Sequence, residues 1–433
     1  MINMGQIKIL LTNISYPYRN YGVQGILLPF IEKLSRHFDA EYGLIIKKKF
    51  YKENVDFCRK HNIHAVKSLP AGALLARDNL LLKSFFNLYR WLKKKRIVNS
   101  DKYTNFFNEV KKYDVIINLC GIQFIGNKSI IRKYAEYYTS IYPKWLSKKF
   151  GKLYLEYTKS YGPFVGKFYR FLTKKHLNSI PFIFVRGKNN LEEVRKLKLQ
   201  KPTYSFPDIS LSLEPAEKGW ASSYLKTLGL DCSKKIVGVS PSSVIYNLTT
   251  KEKTSKGKNH FYLCEKIINF YAKENNQVII LPHSIEYDMS DANVADLTLS
   301  KRLFKRIKNK ERVFLIADKG LTYRQTRAII GMMDFYVTGR YHSVSSALFE
   351  GTPVVALSWH IKYRDILSLF LSKDIPTINC RKTNIEDAMA LVEKYYYDRS
   401  WFDKKKILEK QNDIIRKIDC SIEILSNAIE NNN

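Results

Sequence analysis

The chain has 433 residues, 45% of them hydrophobic and 13% aromatic, so it can bury cores for about two domains and is too apolar to be disordered. Lys and Arg number 73 against 40 Asp and Glu, and the resulting charge of +33 favours an anionic partner. Residues 1–11 lack a basic flank and a cleavage site, and no apolar run approaches the ~20 residues that cross a bilayer, so we expect a cytoplasmic protein.

In the first half, short apolar runs alternate with longer amphipathic stretches, a pattern typical of a parallel α/β sheet. A helix is predicted over Val23–His37. The predicted strands are Ile7–Thr12, Glu41–Lys47, Val115–Leu119, Leu153–Tyr157 and Phe182–Arg186. We therefore predict a first α/β domain over residues 1–213.

A second α/β series begins after a polar stretch, and each of its strands is followed by a helix-like segment. Its predicted strands are Ile236–Ser240, Val278–Leu281, Val313–Ile316, Phe335–Thr338 and Val354–Leu357. This series predicts a second domain over residues 214–398. Beyond it, apolar residues recur every three or four positions from Ile407 to Ile429, which predicts a C-terminal helix within residues 399–433 that packs across the domain junction.

Several loops at predicted strand ends carry residues suited to ligand binding, because ligands of such folds bind at the carboxyl ends of the strands. After the first strand, Asn20, Gly22 and Gln24 open a helix, and glycine there lets a ligand approach backbone N–H groups. Gly121 follows another strand. These four residues are candidates for ligand binding. Farther along the chain, a predicted strand ends at Arg186, and Asp208 follows it.

In the second half, a hydroxyl-rich loop begins at Ser240, and His283 follows a strand with Asp288 and Asp291 downstream. The strongest local signal runs from Asp334 to Lys362. It comprises a strand, the turn Gly339-Arg340-Tyr341-His342-Ser343, a helix over Val344–Glu350, Gly351-Thr352-Pro353, and a second strand. Arg340 and His342 lie two apart beside a helix N-terminus, which predicts an anion site with a titratable group.

This arrangement resembles the polysaccharide pyruvyl transferase family, whose late signature is Gly-x-Arg-x-His, a helix, Gly-x-Pro-Val and a lysine. The matching positions here are Gly339, Arg340, His342, Gly351, Pro353, Val354 and Lys362. Family members usually have an acidic residue after the Val-Arg pair, where this chain has Gly187-Lys188. The resemblance implies two Rossmann-like domains of the GT-B type facing a central cleft, with pyruvyl transfer from phosphoenolpyruvate to a sugar that ends as a cyclic ketal.

For this chemistry the resemblance assigns Arg340 and Arg186 to the phosphate and carboxylate of phosphoenolpyruvate. His342 is assigned to phosphate contact and to the proton transfer as general acid. We expect Asp208 to act as the base, with Asp291 as the alternative. His283, Lys362 and Ser240 are further predicted contacts to phosphoenolpyruvate. Neither a metal nor a cofactor is predicted, and phosphoenolpyruvate is the donor substrate.

The acceptor implied by the resemblance is a sugar of a polysaccharide or of a lipid-linked saccharide precursor. We expect the acceptor side of the protein at Asn20, Gly22, Gln24 and Gly121. Two basic and aromatic stretches, Leu81–Val98 and Tyr142–Arg170, are compatible either with an anionic membrane surface or with core-facing helices whose lysines are solvated. We therefore hypothesise peripheral attachment to the inner face of the membrane.

Two alternatives stay open. A GT-B glycosyltransferase with a nucleotide-sugar donor is suggested by Glu350, although His342 stands where such an enzyme often has a second glutamate. Nucleic-acid binding is favoured by the charge of +33, but the chain has no groove-reading or base-stacking motif, so we predict no nucleic-acid partner.

Overall fold

The structure is a computed structural model that describes residues 6–14, 16–69, 100–126, 130–251, 259–285, 295–371 and 375–432. The stretch Leu81–Val98, for which a membrane-facing helix was considered, lies outside the described residues. The chain divides into two compact units. The first comprises residues 1–18, 26–208 and 417–433, and the second comprises residues 19–25 and 209–416.

The first unit is built on a five-stranded parallel sheet with the order β3-β2-β1-β4-β6. In register, Leu10 of the central strand pairs with Gly43 on one side and Ile116 on the other. The strands are β1 (Ile7–Thr12), β2 (Ala40–Ile46), β3 (Ile63–Lys67), β4 (Val115–Asn118) and β6 (Leu153–Glu156). The short strand β5 (Ile122–Gln123) follows β4 in sequence but is not part of this sheet. Every residue of β4 is buried, as expected for a strand covered on both faces.

Two small parallel pairs extend this unit, β5 with β7 (Ser160–Tyr161) and β8 (Ile183–Arg186) with β9 (Thr203–Phe206). The predicted strand Phe182–Arg186 therefore exists, but it pairs with β9 instead of joining the main sheet. Helix α1 (Tyr21–Leu34) is divided between the two units. The other helices of the first unit are α2 (Tyr51–Lys60), α3 (Ser100–Lys111), α4 (Ile130–Phe150), α5 (Lys167–Leu177) and α6 (Lys188–Arg195).

A fully buried ionic network joins several of these elements. The carboxylate of Glu156 accepts hydrogen bonds from the hydroxyls of Tyr154 and Tyr161, at 2.7 and 3.0 Å. It also contacts the ammonium group of Lys159 at 3.0 Å and the imidazole of His176 at 2.9 Å. Burial opposes ionisation of Glu156, but the charge of Lys159 and the contact with His176 outweigh it, so the pKa of Glu156 lies below its ordinary value.

The second unit contains a six-stranded parallel sheet with the order β12-β11-β10-β13-β14-β15. Numbered within the unit, this order is 3-2-1-4-5-6, that of a dinucleotide-binding Rossmann sheet. Its strands are β10 (Ile236–Ser240), β11 (Gln277–Ile280), β12 (Val313–Leu315), β13 (Phe335–Thr338), β14 (Val354–Ser358) and β15 (Thr377–Asn379). Its helices are α7 (Lys218–Thr227), α8 (Ser243–Lys251), α9 (His260–Lys273), α10 (Asp296–Arg306), α11 (Tyr323–Gly331), α12 (Tyr341–Glu350), α13 (Lys362–Phe370) and α14 (Ile385–Tyr397).

The last helix, α15 (Lys404–Glu430), confirms the predicted long C-terminal helix. Its apolar stripe is buried as the periodicity predicts, because the residues at steps of three and four share one face. The stripe comprises Ile407, Ile414, Ile418, Ile422, Leu425 and Ile429. The first part of α15 belongs to the second unit and the part from Lys417 onward to the first.

Within the described ranges, no helix combines the length and the apolar character that a membrane span needs.

Candidate functional site

The carboxyl ends of three neighbouring strands, β11, β10 and β13, meet around one buried carboxylate, that of Asp296. Oδ1 of Asp296 accepts a hydrogen bond from the backbone N–H of Ser243 at 2.8 Å, and Oδ2 accepts one from Ser284 at 3.0 Å. Nη2 of Arg340 lies 2.5 Å from Oδ1 and 2.9 Å from the Ser243 hydroxyl. One side chain therefore fixes the loops after all three strands.

Asp296 was not among the predicted site residues. It is the first residue of α10, and an acidic residue at that position is usually explained by interaction with its own helix N-terminus. Here the carboxylate instead binds two other loops and Arg340, and its side chain is fully buried. The pairing with Asp296 orients the guanidinium of Arg340, whose side chain keeps 20% of its surface exposed.

The helix that follows Arg340 starts earlier than predicted. α12 begins at Tyr341 instead of Val344, with Arg340 at the N-cap position and no side-chain cap hydrogen bond. His342 thus lies in the first helical turn and not in an extended turn. The N–H groups of a first turn have no acceptor within the helix, so the N-terminus of α12 presents hydrogen-bond donors beside Arg340.

The early loop predicted for the acceptor side belongs to the second unit, together with His342. Asn20 forms an antiparallel bridge with Ser284, and the side chain of Gln24 accepts a hydrogen bond from the backbone N–H of Tyr323 at 2.9 Å. A Cβ atom at Gly22 would overlap the imidazole ring of His342. This close approach is the physical reason why glycine stands at that position.

His283 is buried between the rings of Tyr21 and Tyr323, with centroid distances of 5.6 and 5.8 Å. Among the described residues, neither of its ring nitrogens has a hydrogen-bond partner. Burial, followed by the charges of His342 and Arg340, lowers the pKa of His283 well below its ordinary value. The ring is therefore neutral near pH 7 and offers one donor and one acceptor.

A second histidine near Arg340 is also neutral. Nε2 of His260 accepts a hydrogen bond from the backbone N–H of Ser242 at 2.9 Å. Burial and the charge of Arg340 lower its pKa to about 3. No sequence motif had indicated His260, because its role depends on a contact between two loops.

Two of the predicted phosphoenolpyruvate contacts lie in other surroundings. The hydroxyl of Ser240 is buried beside the phenol of Tyr336, whose pKa is raised mainly by burial. The ammonium group of Lys362 lies over three aromatic rings, those of Trp359, Tyr341 and Tyr363, at 5.0, 5.2 and 5.5 Å from the centroids. Such an aromatic setting stabilises the cation where it stands.

In the first unit, Arg186 and Asp208 form a buried ion pair. Arg186 also donates to the Ser160 hydroxyl at 3.1 Å and to the carbonyl of Gly121 at 2.7 Å. Asp208 thus replaces the acidic neighbour that the chain lacks after Arg186. This geometry does not favour the predicted base role of Asp208, because a paired arginine stabilises the unprotonated carboxylate and weakens it as a base. The alternative base, Asp291, lies outside the described residues.

The comparisons with known proteins agree with this fold. The sequence model of a family described as "Polysaccharide pyruvyl transferase" matches residues 45–361. No curated protein matches the chain.

Solved structures resemble the chain in fold, at low sequence identity. UDP-GlcNAc 2-epimerase from Methanocaldococcus jannaschii has a TM-score of 0.52 at 10% identity, covering 95% of this chain and 98% of that one. Sucrose-phosphate synthase from Thermosynechococcus elongatus has a TM-score of 0.54 at 9% identity and covers 98% of both chains. A putative UDP-N-acetylglucosamine 2-epimerase from Listeria monocytogenes has a TM-score of 0.51 at 13% identity, covering 94% and 91%. These neighbours are GT-B enzymes and confirm the predicted fold class.

The contact between Gly22 and His342 predicts that Gly22→Ala destabilises the protein by about 1–3 kcal/mol, because the added methyl group must displace the imidazole ring. Urea denaturation measures this loss. Gly219→Ala is the matched control, since a Cβ atom at Gly219 meets nothing within 4 Å. Equal destabilisation in both variants would contradict the contact.

The two neutral histidines predict that the free energy of unfolding decreases as the pH is lowered. In the unfolded chain both titrate near 6.5, whereas in the folded protein they stay neutral to a lower pH. Their contribution is therefore complete above about pH 6.5 and is lost below it, by roughly 1.4 kcal/mol per pH unit for each ring. His260→Gln and His283→Gln should each flatten the fall of the unfolding midpoint between about pH 7 and 5.5. An unaltered slope in both variants would refute the assignment.

Proposed function

Because the chain belongs to the polysaccharide pyruvyl transferase family, we propose that it transfers a pyruvyl group from phosphoenolpyruvate to a saccharide and closes a cyclic ketal. The observation that carries this proposal is the site around Arg340 in the second unit. It combines one oriented guanidinium, a helix N-terminus, and a buried neutral histidine whose ring nitrogens have no partner within the described part of the chain.

The charge and the donors of this site suit a small molecule with two acidic groups. Arg340 supplies a forked cation, and the first turn of α12 supplies N–H donors beside it. His283 adds hydrogen-bonding groups without adding charge, because its pKa is lowered. Phosphoenolpyruvate carries a phosphate and a carboxylate on one small carbon frame, so both can be held by donors that converge in this way.

In the proposed reaction, a sugar hydroxyl adds to the carbon that bears the phosphate, and the methylene carbon gains a proton from a general acid and becomes a methyl group. The proton that the attacking hydroxyl loses restores the general acid. A second hydroxyl then displaces the phosphate from the same carbon, its proton leaving with the phosphate, and the ketal closes. We assign the proton donated to the methylene carbon to His342, which lies in the first turn of α12 next to Arg340.

The alternative reading as a nucleotide-sugar glycosyltransferase depended on Glu350. Oε1 of Glu350 lies 3.1 Å from Nε of Arg327, which is fully buried and also donates to the backbone carbonyl of Ser210 at 2.9 Å. Glu350 is therefore engaged in a structural ion pair, and this favours the pyruvyl transferase proposal over the alternative.

We expect phosphoenolpyruvate to raise the melting temperature of the protein, because a ligand that binds only the folded state stabilises it. Arg340→Gln should lose this shift. Arg324→Gln, which changes a half-buried arginine that donates to the Glu214 carbonyl, should keep it. UDP-sugars should produce no shift. A shift with a UDP-sugar and none with phosphoenolpyruvate would overturn the proposal in favour of a glycosyltransferase.

We further propose that the enzyme works at an anionic membrane surface, where a lipid-linked acceptor would be found. Helix α5 exposes Phe168 and Phe171, at 61% and 60% of their side-chain surface, beside Lys167 and Arg170. Exposed aromatic rings flanked by cations suit the interface of an anionic bilayer. By contrast, Tyr154 of the same predicted stretch is buried, and Trp145 and Phe150 pack against the core.

Phe168→Ser combined with Phe171→Ser should weaken sedimentation with vesicles of phosphatidylcholine and phosphatidylglycerol at low ionic strength. Tyr397→Ser, which removes an aromatic ring of similar exposure in the second unit, should not. Equal retention of all three proteins, or no binding of the unmodified protein, would refute the membrane proposal.

A further inference from the structure

A cavity of about 260 Å³ lies at the carboxyl ends of β14 and β15, in the second unit. Trp359, His360 and Arg364 line it from the segment after β14, and Thr377 and Asn379 line it from β15. The volume is just below the roughly 300–1,000 Å³ of pockets for drug-sized ligands, so the cavity fits one ring better than an extended chain.

The side chains around this cavity combine three kinds of contact. The indole of Trp359 offers an apolar face, while Thr377 and Asn379 offer a hydroxyl and an amide. In the neutral ring of His360 the proton is on Nε2, because Nδ1 accepts a hydrogen bond from the backbone N–H of Lys362 at 3.2 Å. Among the described residues that line the cavity, Arg364 is the one fully charged group, and none is a carboxylate.

We infer that this cavity binds a single sugar ring that carries an anionic group, phosphate or carboxylate. The C–H face of a pyranose can pack on the indole, and its hydroxyls can meet the amide of Asn379 and the hydroxyl of Thr377. The forked guanidinium of Arg364 matches the paired oxygens of a phosphate or carboxylate. The cavity is thus the acceptor subsite, an assignment that rests on the proposed function.

The first turn of α13 connects this cavity to the site around Arg340. The hydroxyl of Tyr363 donates to the carbonyl of Gly339 at 2.8 Å. The ammonium group of Lys362 lies over the ring of Trp359, which lines the cavity, and over the ring of Tyr341, the first residue of α12. An acceptor bound in the cavity would therefore lie next to the anion site of the same unit, as a transfer reaction requires.

The test is calorimetric titration of the full chain with four probes: glucose 6-phosphate, glucuronate, glucose and inorganic phosphate. We expect one or both anionic sugars to bind more tightly than glucose and than inorganic phosphate. Arg364→Gln should weaken that binding about tenfold, as expected when a charge-assisted hydrogen bond is lost. Trp359→Ala should weaken it as well, and Trp359→Phe should weaken it less.

Arg381→Gln is the matched control, because Arg381 is exposed near the cavity without lining it. Unchanged melting temperatures of the variants would show that each is folded. Equal affinity for glucose and the anionic sugars would overturn the anionic specificity, and equal affinity for inorganic phosphate would overturn the assignment to a sugar. No binding of either anionic sugar, or loss of binding in Arg381→Gln alone, would overturn the subsite itself.

Repeating the titrations in Arg340→Gln separates this inference from the proposed function. Anionic-sugar binding should persist there, whereas phosphoenolpyruvate binding should be lost; loss of both would place the sugar at the anion site and overturn the subsite. If the unmodified protein binds the anionic sugar but not phosphoenolpyruvate, the proposed donor is wrong and the cavity assignment stands. If it binds phosphoenolpyruvate but neither anionic sugar, the cavity assignment is wrong and the proposed donor stands.

Discussion

The buried carboxylate of Asp296 is the interaction on which the site of the second unit depends. Removing one carboxylate from water is costly, and the cost is offset here by two backbone N–H groups and the guanidinium of Arg340. Since those partners come from the loops after three adjacent strands, their positions are coupled. Arg340 pairs with a carboxylate that two backbone N–H groups fix in place, so its guanidinium is oriented before any ligand binds.

The arrangement of charge around Arg340 follows from the same burial. Two imidazoles lie within reach of the arginine charge, and both stay neutral because burial and that charge disfavour protonation. In the first unit, Arg186 is satisfied by Asp208, Ser160 and the carbonyl of Gly121 and is almost fully buried. Arg340 and Arg186 both follow predicted strands, but they differ in the structure: Arg340 keeps part of its surface exposed, and Arg186 is enclosed.

Most of the sheet could be predicted, since buried parallel strands are continuous apolar runs. β1, β10 and β13 agree with their predicted ranges, and the other predicted strands differ by one residue at one or both ends. β3 was not predicted, because its sequence Ile-His-Ala-Val-Lys is only partly apolar, as suits an edge strand with exposed positions. β15 was also missed, because three residues at a sheet edge are too short for a pattern. The start of α12 was misplaced because Arg340 and not Ser343 occupies the N-cap position.

The sequence by itself determined the α/β class, the long C-terminal helix, the family, and the turn that carries Arg340 and His342. Each of these depends on local periodicity or on a short motif, which neighbouring residues encode together. Only the tertiary structure decided which charges are paired and which residues share a site. Asp296 pairs with Arg340 across 44 positions, and Asp208 pairs with Arg186 across 22. Gly22, in the first part of the chain, contacts His342 in the second. Such contacts form when the loops at the ends of parallel strands converge, and no local pattern records which loops will meet.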